Sequence, residues 1–178
     1  MDSPLLTLLR KRRSIRKFTA QPVQPEQVDA LIEAAVRAPT SRGFNPWEFI
    51  VIDNRELIQS LARAKQHGSQ FLEGAPLAIV VAADTSKSDA WIEDCSIAAI
   101  IIQLAAEEMG LGSCWVQIRM RPHNESLSAE DFVKECLTLP GHYSVECIIG
   151  VGHPGEVKEG HKHGELPFDQ VHRNGIVD

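Results

Sequence analysis

Six of the eight residues Arg10–Lys17, RKRRSIRK, are cationic, a third of the 18 Lys and Arg in a 178-residue chain of net charge −6. Arginine is always charged, and its planar fork of donors matches phosphate oxygens two at a time. Such a run serves as a solvated face, a nucleic-acid patch or a compact site for one anion. Nucleic acid fits badly, because neutralising many phosphates takes a broad basic surface. Outside this block the chain is more acidic than its total suggests. Ser14, Ile15 and Phe18 interrupt the cations, so part of the block faces a core. The solvated face and the single-anion site both remain open on these residues alone.

A second constellation is APTSRGFNPWEF, residues 38–49. This Pro-bounded loop of small residues feeds a strand; it is either a plain connection or a source of amides and hydroxyls for a ligand. Other chemistries find little support. HKH at 161–163, with His153 and His172, lies in a Gly-rich arm without fixed ligand geometry, so no metal site is expected. No GxSxG nucleophile elbow occurs. GVGHPG at 150–155 lacks the amphipathic helix and the later acid of a dinucleotide fold. Cys95, Cys114, Cys136 and Cys147 form no CxxC pair and read as buried, reduced residues.

The elements that must position these residues mix α and β. Ser3-Pro4 opens a helix over LLTLLRKR. Pro25 opens a second, with Val28, Leu31, Ile32, Ala35 and Val36 at helical spacing and Pro39 closing it. EFIVI (48–52), LAIVVAA (77–83), CWVQI (114–118) and VECIIGVG (145–152) are strand candidates. Asn54 caps a helix expected to reach about Lys65, and Ser128 with Asp131 starts another. The helix from Asp89 to Met109, ended by Gly110, is apolar around much of its girth; it belongs in a core or against a partner subunit. With 43% hydrophobic residues the chain can bury a substantial core. It reads as a single domain, 1–178, with 153–178 as a C-terminal arm. No run of 18 apolar residues and no signal-peptide pattern occurs, so a cytoplasmic protein without membrane contact is expected.

RRSIRKF (12–18), APTSRGFNPWEF (38–49), MGLGSCWVQI (109–118) and ELPFDQVH (165–172), in that order, resemble the nitroreductase family of FMN-dependent oxidoreductases. The resemblance runs from about Leu6 to His172. It implies an α+β fold: a small mixed, mainly antiparallel sheet flanked by helices, in an intertwined homodimer with FMN at the subunit interface.

The resemblance also implies the site. Arg12 would bind phosphate and ribityl with Arg13 nearby, Ser14 would hydrogen-bond the flavin, and Arg16 would lie by the pyrimidine edge. A cation there stabilises the charge that a reduced flavin gains. Arg10, Lys11 and Lys17 have no such role and are expected in solvent. Pro39, Thr40 and Ser41, with Gly43 and Asn45, would reach the neighbouring subunit's flavin. Gly43 and Asn45 stand where many members have Asn and Gln. Trp115, Val116 and Gln117 would run along the ring, one amide aimed at N5; Gln117-Ile118 is bulkier than usual. Gln70 is the nearest counterpart of a Lys that relatives aim at the pyrimidine. Lys162 and His163 are the counterparts of the family's phosphate clamp before the tail's LP.

The implied activity is electron transfer from NADH or NADPH through flavin N5 to a small electrophilic acceptor such as a nitroaromatic, quinone or activated alkene, by a ping-pong sequence. No side chain need act as a nucleophile. Two alternatives stand beside it: the same fold running another flavin reaction, or a non-catalytic flavin store. Arg119 and Arg121, in VQIRMRPHN (116–124), are candidates to select an anionic substrate.

Overall fold

The computed structural model describes residues 3–176, so the last two residues of the expected arm, Val177 and Asp178, lie outside the described residues. Helices begin where short polar side chains can take up free amides. In α1 (Pro4–Lys11) the Ser3 hydroxyl accepts the Leu6 N–H at 3.1 Å, with proline in the first turn. In α2 (Pro25–Val36) Gln24 and Gln27 exchange capping bonds. Asn54 accepts the Leu57 N–H to start α3 (Arg55–Leu61). Ser128 accepts the Asp131 N–H to start α5 (Ala129–Leu137). The long α4 (Trp91–Glu108) stops because Gly110 takes φ +74°, a left-handed conformation that suits glycine. α3 stops at Leu61, short of the expected Lys65. Ser69 Oγ donates to the carbonyls of Ala62 and Lys65, and Gly68 takes φ +86°, so residues 62–69 close into a loop instead of another helical turn.

Four strands, β1 (Trp47–Ile52), β2 (Leu77–Asp84), β3 (Gly112–Gln117) and β4 (Tyr143–Gly152), form an antiparallel sheet in the order β1-β2-β4-β3. The central pair, β2 and β4, is apolar almost throughout because both of its faces are covered. Side chains alternate between two cores. On one face Ile79, Val81, Ile149 and Trp115 pack against α2 and α4. On the other, Val80, Ile148 and Val116 pack against α3, α5 and the turn at Gln70–Gly74. Between Val81 and Ala82 the register slips, leaving Glu146 as an extra residue in β4.

The apolar girth of α4 divides in the same way. Cys95, Ala99, Ile102 and Ala106 enter the core, while Ile97 and Ile100 stay on the surface. Nearby α1 also exposes Leu5, Leu6 and Leu9. After β4 the chain pairs with residues 17–19: the Thr19 N–H donates to the His153 carbonyl at 2.9 Å and the Gly155 N–H to the Lys17 carbonyl at 2.7 Å. From residue 161 to 176 the arm runs over the surface with no buried residue.

Candidate functional site

The cation-rich stretch leaves α1 and lies as extended chain beside β3. Ser14 pairs with Ser113 in a single parallel bridge, and the Ile15 N–H donates to the Ser113 carbonyl at 3.0 Å. Ile15 is buried against Gly112, where a Cβ would stand 2.8 Å from the Ile15 Cβ. With Ile15 pinned, two-residue alternation puts Arg12, Ser14 and Arg16 on one side and Arg13 on the other. Arg13 donates instead to the Glu159 carbonyl of the arm.

The electrostatics of Cys114 report what converges on that first side. Burial pushes its thiol up, opposed by Arg16, a Ser14 hydrogen bond, Lys158 and Arg12, in that order. A fifth group comes from the loop after α3. The ammonium of Lys65 is pulled down by burial first and by Arg121 second, against the opposing influence of Cys114. Arg12, Arg16, Lys65 and Lys158 thus all act electrostatically on Cys114 and, with Ser14, make up a basic pocket around it, while Arg121 acts on Lys65.

β3 is an edge strand, and past Ser113 that edge is open. Ser113 turns its carbonyl away from β4 toward Ile15, and the two-residue period turns Trp115 and Gln117 the same way. Among the described residues, no main-chain bond outside the strand ladder reaches either of their N–H groups. The half-buried Gln117 side chain is held by bonds within the protein. Its Oε1 accepts Trp115 Nε1–H at 2.9 Å, and its amide donates to the Arg119 carbonyl at 3.2 Å and Glu146 Oε1 at 3.4 Å. Glu146, at the bulge, is 4% exposed and its other oxygen has no partner. Burial raises its pKa, against the Gln117 hydrogen bond and Arg119. Arg119 lies over the Trp91 ring at 5.8 Å.

The loop at residues 39–45 is rigidly built. Thr40 Oγ1 donates to Asn45 Oδ1 at 2.9 Å and accepts the Asn45 N–H, and the Ser41 N–H donates to the buried Asp94 at 2.8 Å. Arg42, Gly43 and Asn45 all take positive φ; glycine does so freely, but at Arg42 it is strain that only a fixed surrounding maintains. Within one chain this loop and the basic pocket stand apart. Ser41 is tied to α4, on the sheet face opposite Val116 and Lys65. Its anchor Asp94 is 13 residues from Glu107, which pairs with Lys11 at 3.4 Å. At 1.5 Å per residue that is about 20 Å along the helix.

Three further expected residues lie away from the pocket or turn from it. The Gln70 side chain closes its own loop, accepting the Gly68 N–H at 2.8 Å and donating to the Gln66 carbonyl at 2.7 Å. Lys162 caps a short turn in the arm. His163 packs near Phe168 and lines an apolar groove with Leu6 and Leu9. Lys65 and Lys158 are basic residues near Cys114 that the sequence pattern does not single out. Among the described residues no group of three His, Cys, Asp or Glu side chains could hold a metal ion.

The nitroreductase family profile matches residues 9–70 and 59–153, overlapping segments that together take in Arg12, Ser14, Arg16 and Lys65, the rigid loop and the whole sheet, and stop short of Lys158. The chain belongs to the nitroreductase family. A provisionally named NADH dehydrogenase/NAD(P)H nitroreductase of Archaeoglobus fulgidus is 33% identical over 94% of this chain and 96% of its own. Among solved structures, an FMN-dependent nitroreductase of Clostridium difficile R20291 superposes with a TM-score of 0.95. It is 45% identical, and the match covers 96% of this chain and 99% of the other. An NADPH:FMN oxidoreductase of Vibrio harveyi, solved with NAD+, has a TM-score of 0.84 at 25% identity over 99% of this chain and 79% of its own. The α+β architecture expected of a nitroreductase is therefore the architecture present. Its sheet is antiparallel in all four strands, and the Ser14–Ser113 bridge is the one parallel pairing with β3 among the described residues.

Proposed function

We propose that this nitroreductase-family chain is an FMN-dependent oxidoreductase that takes electrons from NADH or NADPH and passes them to a small electrophilic acceptor. The convergence of Arg12, Ser14, Arg16, Lys65 and Lys158 beside the open edge of β3 carries this reading. The donor set fits FMN in kind. A phosphate needs cations, a pyrimidine edge that becomes negative on reduction needs more, and N5 needs a neutral donor. Arg12 and Lys158 would hold the phosphate and Arg16 and Lys65 the pyrimidine edge. The Trp115 and Gln117 amides would face the ring, with Val116 in the core behind them. Lys158 takes the place expected for Lys162 and His163, and Lys65 that of Gln70.

FMN bound there would supply the hydride chemistry. The protein's residues do the rest. Arg16 and Lys65 place positive charge where it favours the reduced state. β3, paired with β4 along its length and with Ser14 and Ile15 at Ser113, keeps the edge amides aimed without reorganisation. Arg119 and Arg121 rim the end of the strand and favour acceptors carrying negative charge. Donor and acceptor use the same ring face in turn, a ping-pong order.

The active unit is a homodimer. The rigid loop at 39–45 and the basic pocket lie on opposite faces of one chain's sheet, so a second copy must bring its loop to each pocket. The exposed stripe of Leu5, Leu6, Leu9, Ile97 and Ile100 is a surface for that copy. No described helix is long and apolar enough to cross a membrane. The four free cysteines suit the cytoplasm.

The test is an anaerobic titration of purified, flavin-loaded protein. NADH or NADPH should bleach the flavin, and a nitroaromatic or quinone should restore its colour. Failure to bind FMN on reconstitution would defeat the reading; bound flavin that resists both donors would favour storage. Light scattering should give twice the 19.7 kDa chain mass.

A further inference from the structure

The arm places an acid where an anion site ought to exclude one. Glu156 Oε1 accepts the main-chain N–H of Arg16 at 2.7 Å and that of Lys17 at 3.3 Å. The same oxygen lies 3.0 Å from Lys158 Nζ, which donates to the Ser14 carbonyl at 2.7 Å. Both side chains are mostly covered, Lys158 at 27% and Glu156 at 20% exposed. The Arg16 N–H first, and the Lys158 hydrogen bond next, hold the Glu156 carboxyl below its usual range. The neighbouring Gly155 and His153 are fixed independently by main-chain bonds to Lys17 and Thr19. One carboxylate therefore joins the arm, the cradle's main chain and a cation of the basic pocket.

We propose that Glu156 is a positioning residue for the flavin phosphate: it docks Lys158 into the pocket and fixes the main chain that carries Arg16. This rests on the FMN reading above. Coulomb's law taken alone predicts the reverse, since a negative charge a few ångströms from Lys158 repels phosphate and its removal should tighten binding. Positioning wins because a lysine ammonium is strongly hydrated on a flexible stem. Without Glu156 it returns to water, and two main-chain amides lose their acceptor. The arm thereby becomes a condition of tight binding, although its outer half carries no pocket residue.

The experiment compares dissociation constants for FMN and riboflavin, by flavin fluorescence quenching, in the wild type, Glu156→Gln, Lys158→Ala, the double variant and Glu159→Gln. Glu156→Gln should weaken FMN about tenfold, the loss of one charge-assisted contact, and riboflavin by no more than about threefold, since riboflavin lacks the phosphate. In the Lys158→Ala background the same change should add about twofold or less, the mark of two residues acting together. Glu159→Gln removes a nearby exposed charge and should stay within about twofold. Equal or tighter FMN binding by Glu156→Gln would overturn the proposal. So would an equal loss for both flavins, or full additivity with Lys158→Ala. Melting of the flavin-free variants separates misfolding from positioning. Should Glu156→Gln not fold, Lys158→Ala carries the test: selective loss of FMN supports the proposal and unchanged FMN affinity overturns it. A wild type that binds neither flavin sinks the flavin reading itself, a result distinct from any of these.

Discussion

Two stretches of this chain are rich in basic side chains, Arg10–Lys17 and His161–Arg173, and only the first is fastened to the sheet. In the first, Ser14 and Ile15 are bonded to β3, Ile15 is buried against Gly112, and Glu156 fastens the next two amides. In the second no residue is buried, and Lys162 and His163 sit in a short surface turn. The lesson is one of entropy. A long cationic side chain costs up to about 2 kcal/mol to immobilise, and an exposed ion pair returns about 1 kcal/mol or less. Charge makes a site only where packing has already fixed the main chain beneath it.

The strongest way to break this comparison is to remove one cation from each stretch. Arg12→Ala should weaken FMN binding about ten- to a hundred-fold, the value of a charge-assisted phosphate contact. Lys162→Ala should stay within about twofold, as for an exposed charge. Fluorescence titration decides, and equal effects would mean that pinning is irrelevant. A second test acts on the pinning itself. Gly112→Ala puts a methyl 2.8 Å from Ile15 Cβ. It should cost about 1–3 kcal/mol in urea unfolding, the usual range for overpacking, and loosen FMN as well. Gly164→Ala, in the outer arm where a Cβ meets nothing within 4 Å, should change neither. A Gly112→Ala protein with normal stability and affinity would break the link between packing and binding.

The smallest effect concerns the acid beneath the open strand. Glu146 is buried with its pKa raised. Below the ordinary Glu range, near pH 4, it is protonated in folded and unfolded chains alike and costs nothing. As pH rises through that range the unfolded chain ionises first, so the wild type loses stability relative to Glu146→Gln. The stability advantage of Glu146→Gln should therefore grow between about pH 4 and pH 7, read from urea midpoints at each pH. An advantage that shrinks with pH would show the carboxylate to be charged and paired in the fold.

Much of this was legible in the sequence, for physical reasons. Helix starts at Ser3, Asn54 and Ser128 depend on side chain to main chain bonds within three residues, which spacing reveals. The central strands declared themselves because both faces must be apolar. The Arg12–Ser14–Arg16 alternation needs only the knowledge that the chain there is extended. Lys65 was hidden because α3 ends four residues before it; the available signals were Gly68 and Ser69, which close a loop. Lys158 has no local signal, because the resemblance points to Lys162 and His163 just before the tail's LP. The arm is registered much earlier, at Pro154 and Gly155, where it pairs with residues 17–19. Tertiary register of this kind has no local pattern to reveal it. The two fates of α4, core or partner interface, were left open by its composition. The structure buries one flank in the core and leaves Ile97 and Ile100 exposed on the other.

The open outer edge of β3 has a bearing on how this protein survives its own synthesis. An exposed strand edge is a template for adding another strand, and proteins normally blunt it with charge, bulges or cover. Here the cover stops at Ser113, and the main-chain groups of Trp115 and Gln117 face outward without a neighbouring strand. Until a ligand occupies that edge, a newly made chain carries a sticky seam. Cofactor supply then acts as a folding aid: cells starved of flavin during expression should leave more of the chain in the insoluble fraction than well-supplied cells.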